Sequence, residues 1–371
     1  MEYKLLGRTG FKVSEIGFGG IPIMSGRDSE YLAPLTDVSF KQAVQTLRCA
    51  YSSGINFYDT ARDYRDSEER IGKALKDARR DIIIASKSKA LTYNMMKEDI
   101  EQSLIHLTTD YIDLYQLHFV RDMQSYSKIM DSETGAIRAL IEAKKSGKIR
   151  SFGIAAHNCE VLYPAIEADV FDTVQFPLNL IESEYVDIVN KCKEKNQGTI
   201  VMKAFAGGTL TKSTCVTQKY NLSDSDVKKI ALLYVLKHNI DTVIPGMESV
   251  EQVEENIRIH QSYINGKFNI SMEVIHAITD EFANGFCRRC QYCEPCSEGI
   301  KIETILRFRK YAEDYGLDYW AKSQYNALKT NYLDCKKCGI CETKCPYNIK
   351  IIDELAASHA MLYEDENNAW R

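Results

Sequence analysis

From residue 15 to about 262 the chain repeats one pattern: a short apolar run rich in β-branched and aromatic residues, a polar turn, then an amphipathic stretch. Eight such units follow one another, with strand-like runs at 15–20, 55–61, 82–88, 112–118, 149–157, 173–179, 199–205 and 242–246. Helical stretches separate most of them. Those at 40–53, 68–77, 95–108, 226–238 and 250–259 carry apolar residues at three- and four-residue steps, the spacing of one buried helix face.

Eight alternating β and α segments over roughly 250 residues are what a closed parallel (β/α)8 TIM barrel requires. Several strand runs are apolar through most of their length, as strands covered on both faces must be. An open doubly wound sheet is the alternative. It lacks its usual fingerprint, because Gly17-Phe18-Gly19-Gly20 leads into Pro22 rather than into a GxGxxG helix start. Arg8-Thr9-Gly10, between two short β-prone runs, reads as a hairpin that closes the barrel floor.

Past Asn265-Gly266-Lys267 the alternation stops, and helices are expected at 272–282, 302–315, 319–328 and 352–363. With 371 residues the chain exceeds one ordinary domain, so a barrel over 1–283 and a small, mostly helical domain over 284–371 are expected. A hydrophobic share of 44% and a charged share of 27%, without biased tracts, mark a globular protein. A net charge of -5 with no run of like charge argues against nucleic acid or an anionic membrane as partner. The start has no secretory pattern, and no apolar segment reaches the ~20 residues of a membrane helix, so a cytoplasmic protein is expected.

Chemistry in a barrel sits at the C-terminal ends of the strands. Asp59 lies near the end of the second strand run, Tyr64 follows in the loop, Lys87 ends the third run and His118 the fourth. An ammonium beside a tyrosine stabilises phenolate and makes the hydroxyl a better proton donor. Lys87 is placed to be that cation, Asp59 to orient it, and His118 to hydrogen-bond a substrate carbonyl or relay a proton. A hydride delivered to a carbonyl carbon while Tyr64 protonates the oxygen is carbonyl reduction. Singly, each residue also has a structural explanation as a strand-end ion pair or a satisfied core histidine.

With these residues the chain resembles the aldo-keto reductases over roughly 3–283. The resemblance runs through Leu6-Gly7-Arg8-Thr9-Gly10, Asp59-Thr60-Ala61 with Tyr64 and Ser67-Glu68, Lys87, and Asp113 to His118. Gly147 to Arg150, Ile244-Pro245-Gly246 and Glu255-Asn256 continue it. It implies a catalytic tetrad of Asp59, Tyr64, Lys87 and His118 and a nicotinamide cofactor, NADP or NAD, across the barrel mouth. Gln175 matches the family's nicotinamide-carboxamide contact, whereas the Ser-Asn pair common after the fifth strand is replaced by Ala155-Ala156 or His157-Asn158. Gly246, Met247 and Gln252 stand where many members hold a 2′-phosphate with Lys, Ser and Arg, so NADPH preference does not carry over. Lys203 is a candidate pyrophosphate contact, and Gly246, Glu255 and Asn256 complete the cofactor candidates.

Eight of the twelve cysteines lie between Cys287 and Cys345. Cys335-x2-Cys338-x2-Cys341-x3-Cys345-Pro346 has the spacing and trailing proline of the bacterial ferredoxin motif. Cys287-x2-Cys290-x2-Cys293-x2-Cys296 is one residue shorter in its last gap and is followed by serine. Together they supply two sets of four thiolates and predict two [4Fe-4S] clusters. Zinc is the alternative, although zinc sites usually come as separated CxxC pairs. In two-cluster ferredoxins the fourth cysteine of each run serves the other cluster, which groups Cys287, Cys290 and Cys293 with Cys345, and Cys335, Cys338 and Cys341 with Cys296. This region resembles the helical ferredoxin-type domain appended to one branch of the aldo-keto reductases. Two functions follow: a reductase of a small carbonyl substrate whose clusters are structural, sensory or a docking module, or a hub exchanging electrons with a ferredoxin or flavoprotein.

Overall fold

The computed structural model describes residues 1–25, 38–211, 219–266, 271–283, 287, 292–315, 318–345 and 347–363. Its described residues divide into two compact units, one holding those of 1–26 and 37–275, the other those from 276 onward.

The first unit is the barrel. A hairpin of β1 (Tyr3–Leu5) and β2 (Lys12–Ser14) precedes eight parallel strands: β3 (Phe18–Gly19), β4 (Phe57–Asp59), β5 (Ile83–Ser88), β6 (Ile112–Leu117), β7 (Ile149–Ala155), β8 (Thr173–Pro177), β9 (Gly198–Met202) and β10 (Thr242–Val243). Each strand pairs with the next in sequence. Parallel bridges Ile16 to Val243 and Gly19 to Gly246 join the last strand to the first and close the ring. The open sheet is thereby excluded. The strands at the seam, β3 and β10, are two residues each, shorter than the apolar runs that predicted them, because each keeps a continuous ladder on one side only, with β4 and β9, and meets the other across isolated bridges.

Around the ring lie α1 (Phe40–Ser52), α2 (Ser67–Ala74), α3 (Tyr93–Leu107), α4 (Met123–Ile129), α5 (Ala136–Lys145), α6 (Cys159–Glu167), α7 (Val186–Glu194), α8 (Asp224–Leu236) and α9 (Val250–Ile264). Side-chain caps start several of them. Ser39 accepts from the Gln42 amide, Asn158 from that of Glu160 and Ser249 from that of Gln252, while Ser223 and Asp226 form a capping box. Two helices, α4 and α5, fill the one connection between β6 and β7.

The hairpin plugs the floor as expected. Leu6, Phe11 and Val13 are buried against Phe57, Ile83, Ala85, Leu114, Ile200 and Ile244 from the strands. Each such side chain contributes about 1.5–3 kcal/mol by leaving water. The approach is close enough that a Cβ on Gly7, at φ +48°, would lie 2.1 Å from the Gly198 amide nitrogen, so only glycine turns the chain there.

The second unit is helical: α10 (Met272–Ala283) leads into it, followed by α11 (Ile302–Tyr315), α12 (Asp318–Asn326), α13 (Ile340–Thr343) and α14 (Ile351–Leu362). Ile302, Ile305, Phe308, Ala321, Tyr325, Ile351 and Leu355 form its core. No described helix is long and apolar enough to cross a membrane.

Candidate active site

The strand register brings the predicted groups to one rim. Asp59 ends β4, and Lys87 lies in β5, where Ala85 is the partner of Asp59. The Lys87 ammonium donates to Asp59 Oδ1 at 2.5 Å and to the Thr60 carbonyl at 2.8 Å. Both side chains are almost wholly buried, Lys87 at 0% and Asp59 at 2% exposure. Burial pushes the Asp59 carboxyl up against the pull of Lys87 and the Gln175 amide, and pushes the Lys87 ammonium down against the pull of Asp59. Neither charge is supported without the other.

Tyr64 sits in the turn between β4 and α2, fixed by its amide on the Ala61 carbonyl (3.0 Å) and by the Ser67 amide on its own carbonyl (2.8 Å). Its ring centroid is 5.3 Å from Lys87 Nζ, and its hydroxyl lies 3.5 Å from His118 Nε2. His118 follows β6, with its amide donating to the Ser88 carbonyl at 2.7 Å. Burial pushes the Tyr64 phenol up, and the Asp59 and Asp63 carboxylates push the same way. Burial thus outweighs the acidification expected from Lys87, whose ammonium is shared with Asp59. Burial holds His118 down to about 4, so its imidazole is neutral at pH 7.

Two charged groups that the sequence pattern does not single out flank this set. Asp63 Oδ2 lies 3.5 Å from His118 Nδ1 and 2.6 Å from Lys89 Nζ. The only sequence signals for them are position: Asp63 precedes Tyr64, and Lys89 lies two residues past Lys87.

The cofactor candidates fall in different settings. Gln175, buried in β8, accepts from Gln116 Nε2 at 2.7 Å, while its own Nε2 faces the weak acceptor Met202 Sδ at 3.8 Å. That amide is suited to a carboxamide. Lys203, just past β9, holds φ +58° and its carbonyl accepts from Asn179. Gly246 is demanded by packing, since a Cβ there would lie 2.6 Å from Pro22 Cγ. Glu255 on α9 is engaged by Lys228 of α8 at 3.0 Å, and Asn256 is buried. Asn158 caps α6 and donates to the Arg121 carbonyl, which leaves His157 as the polar side chain of that turn. Both of its ring nitrogens are buried without a hydrogen-bond partner among the described residues. The residues present therefore fit a nicotinamide cofactor.

In the second unit Cys287, Cys293, Cys296, Cys335, Cys341 and Cys345 pack around the small apolar core, whereas Cys338 is exposed. Cys290 lies outside the described residues. The described cysteines hold no disulfide among them, and no three His, Cys, Asp or Glu side chains among the described residues are gathered into a metal site. Cysteine thiolates are the donors of iron-sulfur centres in kind.

Comparison with known proteins agrees with this geometry. Residues 15–268 match the model of the aldo/keto reductase family, and residues 286–350 match that of a 4Fe-4S dicluster domain. The chain is 31% identical over 290 residues to L-galactose dehydrogenase of Arabidopsis thaliana, covering 69% of this chain and 87% of that protein. It is 29% identical over 247 residues to the aldo-keto reductase YhdN of Bacillus subtilis, covering 62% and 69%. Among solved structures, the holo form of aldo-keto reductase AKR11C1 from Bacillus halodurans superposes with a TM-score of 0.62 at 24% identity, covering 76% of this chain and 96% of that one. With the family model spanning residues 15–268, this chain belongs to the aldo/keto reductase family of NAD(P)-dependent oxidoreductases and carries a 4Fe-4S dicluster domain after the barrel.

Proposed function

We propose that the barrel reduces an aldehyde or ketone to the alcohol, with Tyr64 as proton donor. The observation that carries this reading is the convergence of Tyr64, His118 and the buried Asp59–Lys87 pair at the ends of three neighbouring strands. A bound NADPH or NADH supplies the hydride, held by Gln175, Lys203, Gly246, Glu255 and Asn256. Lys87, tied to Asp59, fixes the position of a positive charge beside the phenol and stabilises the phenolate left when Tyr64 has given its proton to the carbonyl oxygen. The burial of Asp59 and Lys87 keeps water from the pair, which strengthens these interactions.

The test is Tyr64→Phe. Loss of the proton donor is expected to lower kcat for a generic aldehyde by about 10²–10⁴-fold, the usual range for general acid catalysis, with dissociation of NADPH unchanged. Unchanged turnover overturns the reading and leaves the barrel a binding scaffold.

For residues 284–371 the reading is a domain with two [4Fe-4S] clusters held by the eight cysteines. Anaerobically purified protein is then expected to contain about eight iron and eight sulfide per chain and to absorb broadly in the visible. The exposure of Cys338 is the observation that favours the second reading, electron exchange with a ferredoxin or flavoprotein. Bleaching of the visible band by NADPH or NADH supports it, and a colourless zinc protein overturns both.

A further inference from the structure

Asp63 belongs to none of the roles assigned above, yet its carboxylate faces the tetrad. Its Oδ2 lies 3.5 Å from His118 Nδ1, and that nitrogen is buried with no hydrogen-bond partner among the described residues. The other ring nitrogen, Nε2, faces the Tyr64 hydroxyl at 3.5 Å, with the rings edge to face at a centroid distance of 5.5 Å. The imidazole thus stands between a carboxylate and a phenol.

We propose that Asp63 is a positioning residue that holds the His118 proton on Nδ1, so that Nε2 meets Tyr64 as a lone-pair acceptor. A neutral imidazole carries one ring proton, and the hydrogen bond made by one nitrogen decides what the other presents. A carboxylate facing Nδ1 selects the Nδ1–H form as long as it stays ionised. Lys89, on the same Oδ2 at 2.6 Å, keeps it so. Burial would raise Asp63, but His118 and Lys89 outweigh it and hold the carboxyl below the usual carboxylate range.

The groups facing His118 are Asp63 and Tyr64 from the turn after β4, Lys87 and Lys89 from β5 and its end, and His157 from the turn after β7. Among them Asp63 alone is a carboxylate opposed to Nδ1. Burial and the two lysines disfavour a charged His118, which leaves the neutral tautomer as the resting state.

The consequence concerns where protons travel, and it rests on the reading of Tyr64 as donor. In the Nδ1–H form His118 presents no proton to a substrate oxygen, so Tyr64 is the single donor there. After Tyr64 has given its proton, solvent delivers one to Nε2. The transient imidazolium, stabilised by Asp63, passes that proton to the phenolate oxygen and returns to the neutral Nδ1–H form. One proton enters, one reaches Tyr64, and no electrons move.

The experiment uses the full chain with ¹⁵N-labelled histidine, free of nicotinamide and carbonyl compound. There are seven histidines, and His118 is assigned by the signals lost in His118→Gln. The wild type is expected to show Nδ1–H at His118, and Asp63→Leu to move the proton to Nε2. Lys89→Met, which leaves the carboxylate in place, is expected to keep Nδ1–H. Asp63→Leu is expected to lower kcat about tenfold with NADPH dissociation unchanged, and Asp63→Glu to recover most of it. An Nε2–H tautomer in the wild type, or the same tautomer with and without the carboxylate, overturns the proposal. A tautomer that moves in a protein whose wild type is inactive on every aldehyde supports the role of Asp63 and refutes the reductase reading instead.

Discussion

Lys87→Met is the sharpest perturbation of the barrel mouth, because it leaves Asp59 buried without the ammonium that Oδ1 accepts from. Both partners are nearly sealed from water, at 0% and 2% exposure, and the Nζ to Oδ1 distance is 2.5 Å. Breaking such a pair from one side costs about 3–5 kcal/mol, since a buried charge is left uncompensated. For a barrel of this size that corresponds to a fall of roughly 6–20 °C in Tm, at about 2–4 °C per kcal/mol.

The lone Asp59 carboxyl should then titrate even further above its unfolded value than burial already places it. A raised folded pKa contributes stability that is present below the unfolded pKa, about 3.9, and lost as pH rises through the folded pKa. The deficit of Lys87→Met is therefore expected to widen with pH. Adding Asp59→Asn removes the stranded charge and should return most of the lost stability, while turnover stays at the level of the single variant. The assay is urea unfolding followed by far-ultraviolet circular dichroism at two pH values, alongside aldehyde reduction. A single variant as stable as wild type at pH 8, or a double variant no more stable than the single, would refute the account of the pair.

Three further outcomes are expected. Glu15, which takes Lys4 at 2.7 Å and His260 at 2.8 Å, has its carboxyl lowered despite burial, so its contribution is present above about pH 4.3 and lost as pH falls. The stability gap between wild type and Glu15→Gln in urea unfolding should narrow from pH 6 toward pH 3. Gly246→Ala puts a Cβ 2.6 Å from Pro22 Cγ and should cost about 1–3 kcal/mol in the cofactor-free protein, read as a lowered Tm before NADPH is added. Cys338→Ser should lower the iron content and loosen residues 284–371 to proteolysis, with aldehyde turnover of the barrel near wild type.

The periodic apolar pattern is enough to locate every barrel strand, since strands covered on both faces have a signature that survives without tertiary information. Helix α11, expected at 302–315, is found at Ile302–Tyr315. The pattern does not show where ladders end: the runs at 15–20 and 242–246 predict full strands, whereas β3 and β10 are two residues each. Nor does it separate α4 from α5, two short helices in a single connection. At the mouth, Asp59, Lys87 and His118 are legible because a strand end fixes its residue to the rim. Asp63 is not. Its meeting with His118 depends on the course of the turn around Tyr64, where Arg65 takes φ +45°, and no spacing rule encodes that. Gly246 illustrates the converse: assigned to a ligand from its motif, it is required by Pro22 whether or not a ligand is bound.

The two units also differ in the currency of their chemistry. A hydride moves two electrons as a pair, and a [4Fe-4S] cluster takes them singly, so the carbonyl reduction proposed for the barrel mouth does not by itself charge a cluster. Asp59, Tyr64, Asp63, Lys87, Lys89 and His118 all come from β4, β5, β6 and the turns that follow them, within the first unit. Every group asked to hold or move a proton is therefore supplied without a residue beyond 275. Electron exchange through the cysteine region needs a further carrier able to split a pair, which gives the bleaching experiment its force: reduction by NADPH alone shows that this chain contains the splitting step, and its absence assigns the clusters to folding, sensing or docking.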